Sequence, residues 1–136
     1  MTELKVVIWN TECRTLRSKA GRMIKDIIEK ESPDVICLTE AYEEILPSYG
    51  EVISSHYDYG YPNKNLKRRK VILWSKTGWK EVDNSGNSLL PKGRFVSGIT
   101  SLRNLRYDRI FSADSGLSHQ ELDWNAGGFL ECKPDK

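Results

Sequence analysis

The chain reads as an α/β fold, with β-sheet of mixed direction flanked by helices. Two short runs rich in β-branched residues, 5–9 (KVVIW) and 35–39 (VICLT), suit strands buried on both faces. Between them Leu16, Ala20, Met23, Ile24, Ile27 and Ile28 recur at three- and four-residue steps, with Lys and Glu interspersed. That spacing predicts an amphipathic helix over about 14–31, laying one stripe on a sheet. Pro33 ends it, because proline disfavours helical geometry in the residue before it. Strand, helix and strand within about 35 residues make one α/β unit.

After this unit the pattern changes. Residues 40–46 predict a short helix ended by Pro47 and Gly50. Strand-like segments come next at 51–55, 71–75, 79–82, 94–100 and 107–112, separated by turn-prone stretches at 59–65, 83–87 and 91–93. Tyr57, Tyr59 and Tyr61 alternate, which would put them on one face of a strand. No internal repeat or low-complexity linker interrupts the chain, and 136 residues suffice for a single domain.

Composition narrows the class without naming a partner. The net charge of +2 is too small to imply a ligand, so the distribution of charge matters more. Four Trp and six Tyr supply enough large apolar surface for a packed core. Cys13, Cys37 and Cys132 are widely spaced, odd in number and lack zinc-ligand spacing, which reads as reduced thiols. The N-terminal apolar run is too short for a signal-peptide core or a membrane span, so the expectation is a cytoplasmic protein.

Two polar residues stand where the best strands end, Asn10 after KVVIW and Glu40 after VICLT. Ligand groups gather at the carboxyl ends of strands in α/β sheets. Asn and Glu oxygens are hard donors suited to Mg²⁺ or Mn²⁺. The simpler reading has Asn10 opening a turn and Glu40 capping the next helix. Both readings stand on spacing alone.

VVIWNTECR, a helix, and then SPDVICLTEAYEE together resemble the opening of the endonuclease/exonuclease/phosphatase family, over residues 4–43. Members begin with a strand ending in Asn, then a helix and a PDVIxLQE strand. Thr39 stands where Gln is common. KVILWSKTGWKEV (70–82) is similar to the family's GVAILSK strand and the segment after it, and GRFVSGIT (93–100) to the next strand. RYDRIFSAD (106–114) is similar to a late motif whose Asp orients a catalytic His.

The resemblance implies a partial four-layer αββα sandwich of the deoxyribonuclease-like type. It also implies a metal-dependent hydrolase acting on a phosphodiester, DNA among the candidates. Asn10 and Glu40 would serve the Mg²⁺ or Mn²⁺ site, and Asp108 would orient the base. His119 is the available His on that side of the chain, though closer to Asp108 in sequence than the family pattern has it. No GDxN and no SDH occurs in the chain. The expectation is therefore one domain, 1–136, lacking a middle segment near 100–106 and the C-terminal motif. A sheet face left uncovered by such a loss would favour self-association.

Lys64, Lys67, Arg68, Arg69 and Lys70 place five cations in seven residues beside the tyrosines. Such a neighbourhood suits a phosphate backbone, and equally a solvated loop before an apolar strand. Three functions are open: a metal-dependent phosphodiesterase, an inactive or partial member of the family that binds nucleic acid through 64–70, or a small basic binding module whose likeness to the family is local.

Overall fold

The computed structural model describes residues 4–59, 67–85, 93–102, 105–113 and 128–130; from 102 onward it describes backbone only. The two β-branched runs pair as expected, but only the second is buried on both faces: the first is an edge strand, and its Ile8 is 55% exposed. β1 (Val6–Asn10) lies parallel to β2 (Val35–Tyr42), with Val6 opposite Val35 and Asn10 opposite Thr39. β4 (Arg68–Ser75) runs antiparallel to β2, and β3 (Glu51–Ser54) antiparallel to β4, giving the order β1-β2-β4-β3. A second sheet is antiparallel throughout, in the order β5 (Lys80–Asp83), β6 (Phe95–Leu102), β7 (Leu105–Ala113) and β8 (Gly128–Leu130).

The connection from β1 to β2 carries α1 (Lys19–Glu31). It starts five residues later than the periodicity predicts. Ser18 is extended and accepts the Gly21 N–H at 3.0 Å, so it caps the helix and leaves 14–17 in the preceding loop. Gly21 is required there, since a Cβ would sit 1.9 Å from the Thr15 carbonyl oxygen. The apolar stripe is also narrower than its sequence. Ile24 and Ile28 are buried, whereas Met23 and Ile27 are 53% and 45% exposed.

The helix predicted over 40–46 is a correction. β2 continues to Tyr42, and only Glu43–Ile45 forms a 3-10 turn. Pairing with β4 outweighs local preference here, with Ala41 opposite Arg69 and Tyr42 opposite Arg68. For the same reason β4 begins at Arg68, three residues before its expected start, and Arg68, Arg69 and Lys70 are strand residues rather than loop charges. Tyr57 and Tyr59 lie in a bend and loop after β3, so the expected shared strand face is also corrected; Tyr61 lies outside the described residues.

Alternation along β4 divides the apolar side chains between two cores. Ile72 and Trp74 face the helix side, with Ile24, Ile28, Ile36, Leu38, Ala41 and Ile45. Val71 and Leu73 face the second sheet, with Val35, Cys37, Ile53, Trp79 and Val96. Trp74 is fully buried, donates its indole N–H to the Tyr49 carbonyl at 2.7 Å, and meets the Tyr49 ring edge-on. The fold is thus mixed α/β, with two sheets and one α-helix among the described residues. No described helix is long and apolar enough to cross a membrane.

Gly98 sits where the second sheet packs against Trp79 and Ile53. A Cβ there would lie 2.8 Å from the Trp79 ring and 2.9 Å from Ile53 Cδ1. Gly98→Ala is expected to cost about 1–3 kcal/mol by overpacking the inter-sheet core. A thermal melt checks this, and an unchanged midpoint would mean that the sheets do not meet at this residue.

Candidate anion-binding cleft

One residue of β2 breaks its own strand. Glu40 has φ +49°, in the left-handed region, as do Glu12 (+49°) and Cys13 (+58°) of the loop after β1. Each such non-glycine residue costs about 1–3 kcal/mol and persists only where its surroundings hold it. The surroundings are explicit: the Glu40 carbonyl accepts the Cys13 N–H at 2.6 Å and the Thr11 hydroxyl at 2.8 Å. The break also resets alternation. Leu38 and Ala41 both enter the helix-side core, three positions apart instead of two.

The Glu40 side chain meets Lys70 on the neighbouring strand, with Oε1 3.2 Å from Nζ and both groups partly buried. Lys70 Nζ is also 5.2 Å from the centroid of the Tyr59 ring. The guanidinium carbons of Arg68 and Arg94 are each 5.9 Å from that centroid. Arg68 donates to the Tyr59 hydroxyl at 2.6 Å, and Arg94 Nε donates to the Tyr59 carbonyl at 3.1 Å. Tyr59 is buried and works as a platform: its ring face attracts cations and its oxygens fix their positions. Gly93 permits the approach, with φ +89° and no Cβ to strike the Asp58 carbonyl at 2.0 Å.

Cys13, Glu40, Tyr59, Arg68, Arg69 and Lys70 line one cavity of about 250 Å³. Burial raises the Cys13 thiol above its ordinary value, and Glu40 adds to this, while Arg68 and Lys70 oppose it. Hydrogen bonding to Tyr59 holds Arg68 still more firmly protonated. The cavity therefore presents three cations, one carboxylate and a neutral thiol.

The residues predicted from sequence divide in four ways. Glu40, Arg68, Arg69 and Lys70 come together. Lys67 lines a different cavity with Tyr42, Glu43, Glu44 and Arg69. Asn10 lines a third, beside Trp9 and Met23, and its Oδ1 accepts the Glu12 N–H at 3.0 Å. Asp108 lies on β7 opposite Thr100, described by its backbone alone, and Lys64 and His119 lie outside the described residues. Glu40 does not cap a helix; the residue preceding the 3-10 turn is Tyr42, without a side-chain cap.

As arranged, Asn10 and Glu40 do not make up the oxygen donor set that Mg²⁺ or Mn²⁺ requires. One oxygen serves a backbone amide, the other a lysine, and the two side chains line separate cavities. Among the described residues no three His, Cys, Asp or Glu side chains gather as a metal site. Sequence reasoning missed Tyr59 as an organising centre, and missed Arg94 and Cys13. The one available signal was Gly93-Arg94, a turn glycine followed by a cation at the head of an apolar strand. Compared with known proteins, the chain matches no protein-family model and is not significantly similar to any curated protein.

The thiol offers a direct probe of this electrostatics. Alkylation of Cys13, followed by site-resolved mass spectrometry, is expected to need higher pH than a free thiol, since only the thiolate reacts. Glu40→Gln removes a contribution that raises the pKa and is expected to speed alkylation; Arg68→Gln removes one that lowers it and is expected to slow it. Equal rates in all three proteins would mean that the thiol does not sense these charges.

Proposed function

We propose that the chain binds phosphodiesters, nucleic acid foremost, at the cationic cleft around Tyr59. The observation that carries this reading is the convergence of Arg68, Arg69 and Lys70 on one cavity, with Arg94 over the same tyrosine ring. Held cations suit phosphate better than mobile ones, because less side-chain freedom is lost when the anion binds. Arg68 in particular presents a planar fork fixed at one end by Tyr59. Glu40 then acts as an internal counter-ion that an incoming phosphate displaces from Lys70.

A second reading is the metal-dependent phosphoesterase that the family resemblance implies. Its support is the position of Glu40, a strained carboxylate near the end of a central strand. In that reading Glu40 and Asn10 would hold Mg²⁺ or Mn²⁺, which would polarise a phosphoryl oxygen, and Asp108 would orient a base, with His119 the candidate. The four-layer deoxyribonuclease-like sandwich belongs to this reading too, and requires helix on the outer face of the second sheet.

Glu40→Gln separates the two readings by sign. For binding, anisotropy of a labelled single-stranded oligonucleotide is expected to show affinity rising about threefold, as Lys70 is released from an ion pair of modest strength. The dependence of log K on log salt is expected to have a slope of about −2 for three phosphate contacts, and to become shallower by about 0.7 in Arg68→Gln. For hydrolysis, turnover of a generic phosphodiester with Mg²⁺ or Mn²⁺ is expected to fall by about two powers of ten or more. Tighter binding without turnover selects the first reading, and EDTA-sensitive turnover lost in Glu40→Gln selects the second.

A further inference from the structure

We infer that two copies of this chain associate through β1, antiparallel about a two-fold axis at Ile8, an inference independent of the cleft around Tyr59. β1 stands at one end of the order β1-β2-β4-β3, so among the described residues it has one partner strand. The Lys5 carbonyl accepts the Val35 N–H, and the Thr11 N–H donates to the Thr39 carbonyl at 3.0 Å. Residues 5, 7, 9 and 11 thus turn their peptide groups toward β2, and alternation turns those of Val6, Ile8 and Asn10 to the outer edge. Edge strands are ordinarily guarded by charge, proline or a bulge, and Val6–Trp9 carries none of these. Of the six large apolar side chains exposed among the described residues, three surround this edge. Ile8 is on the strand itself, and Met23 and Ile27 line the groove beside Trp9.

A strand that fits this edge has to be apolar on both faces. Alternation puts Ile8 with Val6 on the side of the second sheet, whereas Met23 and Ile27 stand with Trp9 on the helix side. β1 itself meets that description. Turned antiparallel about Ile8, a second copy sets Ile8 opposite its own equivalent as a hydrogen-bonded pair. Val6 then lies opposite Asn10 and Val7 opposite Trp9, each on its proper face. The same rotation lays the two α1 helices antiparallel on one face, with Met23 and Ile27 of both between them. Their charges suit that arrangement. The first turn of α1 carries Lys19 and Arg22 and no acid, and the last carries Glu29 and Glu31 against Lys30. Each end holds the sign that a helix's own dipole disfavours, whereas an antiparallel neighbour presents the opposite sign to both. Lys19 comes beside Glu31 of the second copy. Glu31 also pairs with Lys5 at the surface, so this contact is a modest one.

Sedimentation velocity of the full chain over a concentration series tests this. A monomer–dimer equilibrium that stops at two is expected, since a two-fold interface closes on itself. Ile8→Lys sets two ammonium groups face to face on the axis and is expected to raise the dissociation constant at least about tenfold. Val82→Lys, at a similarly exposed apolar residue on β5, is expected to leave it unchanged. Lys19→Glu and Glu31→Lys are each expected to weaken the dimer about threefold and together to restore it. That pair carries the test if Ile8→Lys fails to fold by circular dichroism. Amide exchange followed by NMR reads the register: protection at Ile8 is expected to rise with protein concentration, while Val7 and Trp9 stay protected throughout. A chain that is monomeric at every concentration overturns the inference and leaves the edge to a strand of another protein. A dimer that Ile8→Lys and the charge swap both leave untouched overturns it as well, and so does assembly beyond two.

Discussion

Everything in this fold hangs on the antiparallel pair β2–β4. Residues 35–39 and 71–75 are buried on both faces, and each of their neighbours packs on one face or one edge of them. A strand covered on both sides cannot spare a polar side chain without a partner, so its apolar run ends where cover ends. That point is reached at Glu40 and Lys70. Beyond it the two strands stay paired, and β4 carries charge at Arg68 and Arg69 with those side chains only partly covered. The cleft is thus the continuation of the core pair into water, and its position is set by the length of the apolar runs.

The left-handed turn at Glu40 links the two regimes. A regular strand would carry Ala41 to the inter-sheet side, where the Tyr59 cluster lies. The break instead sends Ala41 into the helix-side core and points the Glu40 carbonyl at the loop after β1. That loop is then tied down through Thr11 and Cys13, and Cys13 with Glu12 forms a second strained pair. Strain of this kind, bound up with an ion pair and a cavity, is common at sites that bind or react and has little place in a purely structural strand. Crowding three cations on one tyrosine is a cost of the same sort. Ring, hydroxyl, carbonyl and Glu40 each offset part of it.

The first half of the fold is legible in the sequence because that half is locally encoded. KVVIW and VICLT read as strands beside a helix whose apolar period is 3.6, and Pro33 fixes where the helix ends, although only VICLT is buried on both faces. Pairing at a distance is what local pattern hides. Residues 40–46 have adequate helix composition, and 68–70 look like loop charges, yet each is strand because the other is there to pair with. A contact across about thirty residues leaves no periodic trace in either segment. The helix stripe is wider in sequence than in the structure for a related reason. Sequence shows which residues are apolar, but the width of the sheet beneath decides that Ile24 and Ile28 are covered and Met23 and Ile27 are not.

The candidate site is legible only through residues that are unusual where they stand. Glu40 is visible as a carboxylate directly after a buried run, and the five cations of 64–70 are visible as a cluster. Their meeting is not, because Lys70 reaches Glu40 only after β4 has been extended by three residues. Tyr59 and Arg94 are invisible as a pair, being 35 residues apart and joined through a glycine whose value is the room it leaves. Asn10 shows the converse case. Reading it and Glu40 as partners relies on their equivalent places at the ends of parallel neighbours, but register sets Asn10 opposite Thr39, one residue short of Glu40. With the strand broken at Glu40, that single position is enough to send the two side chains to different cavities.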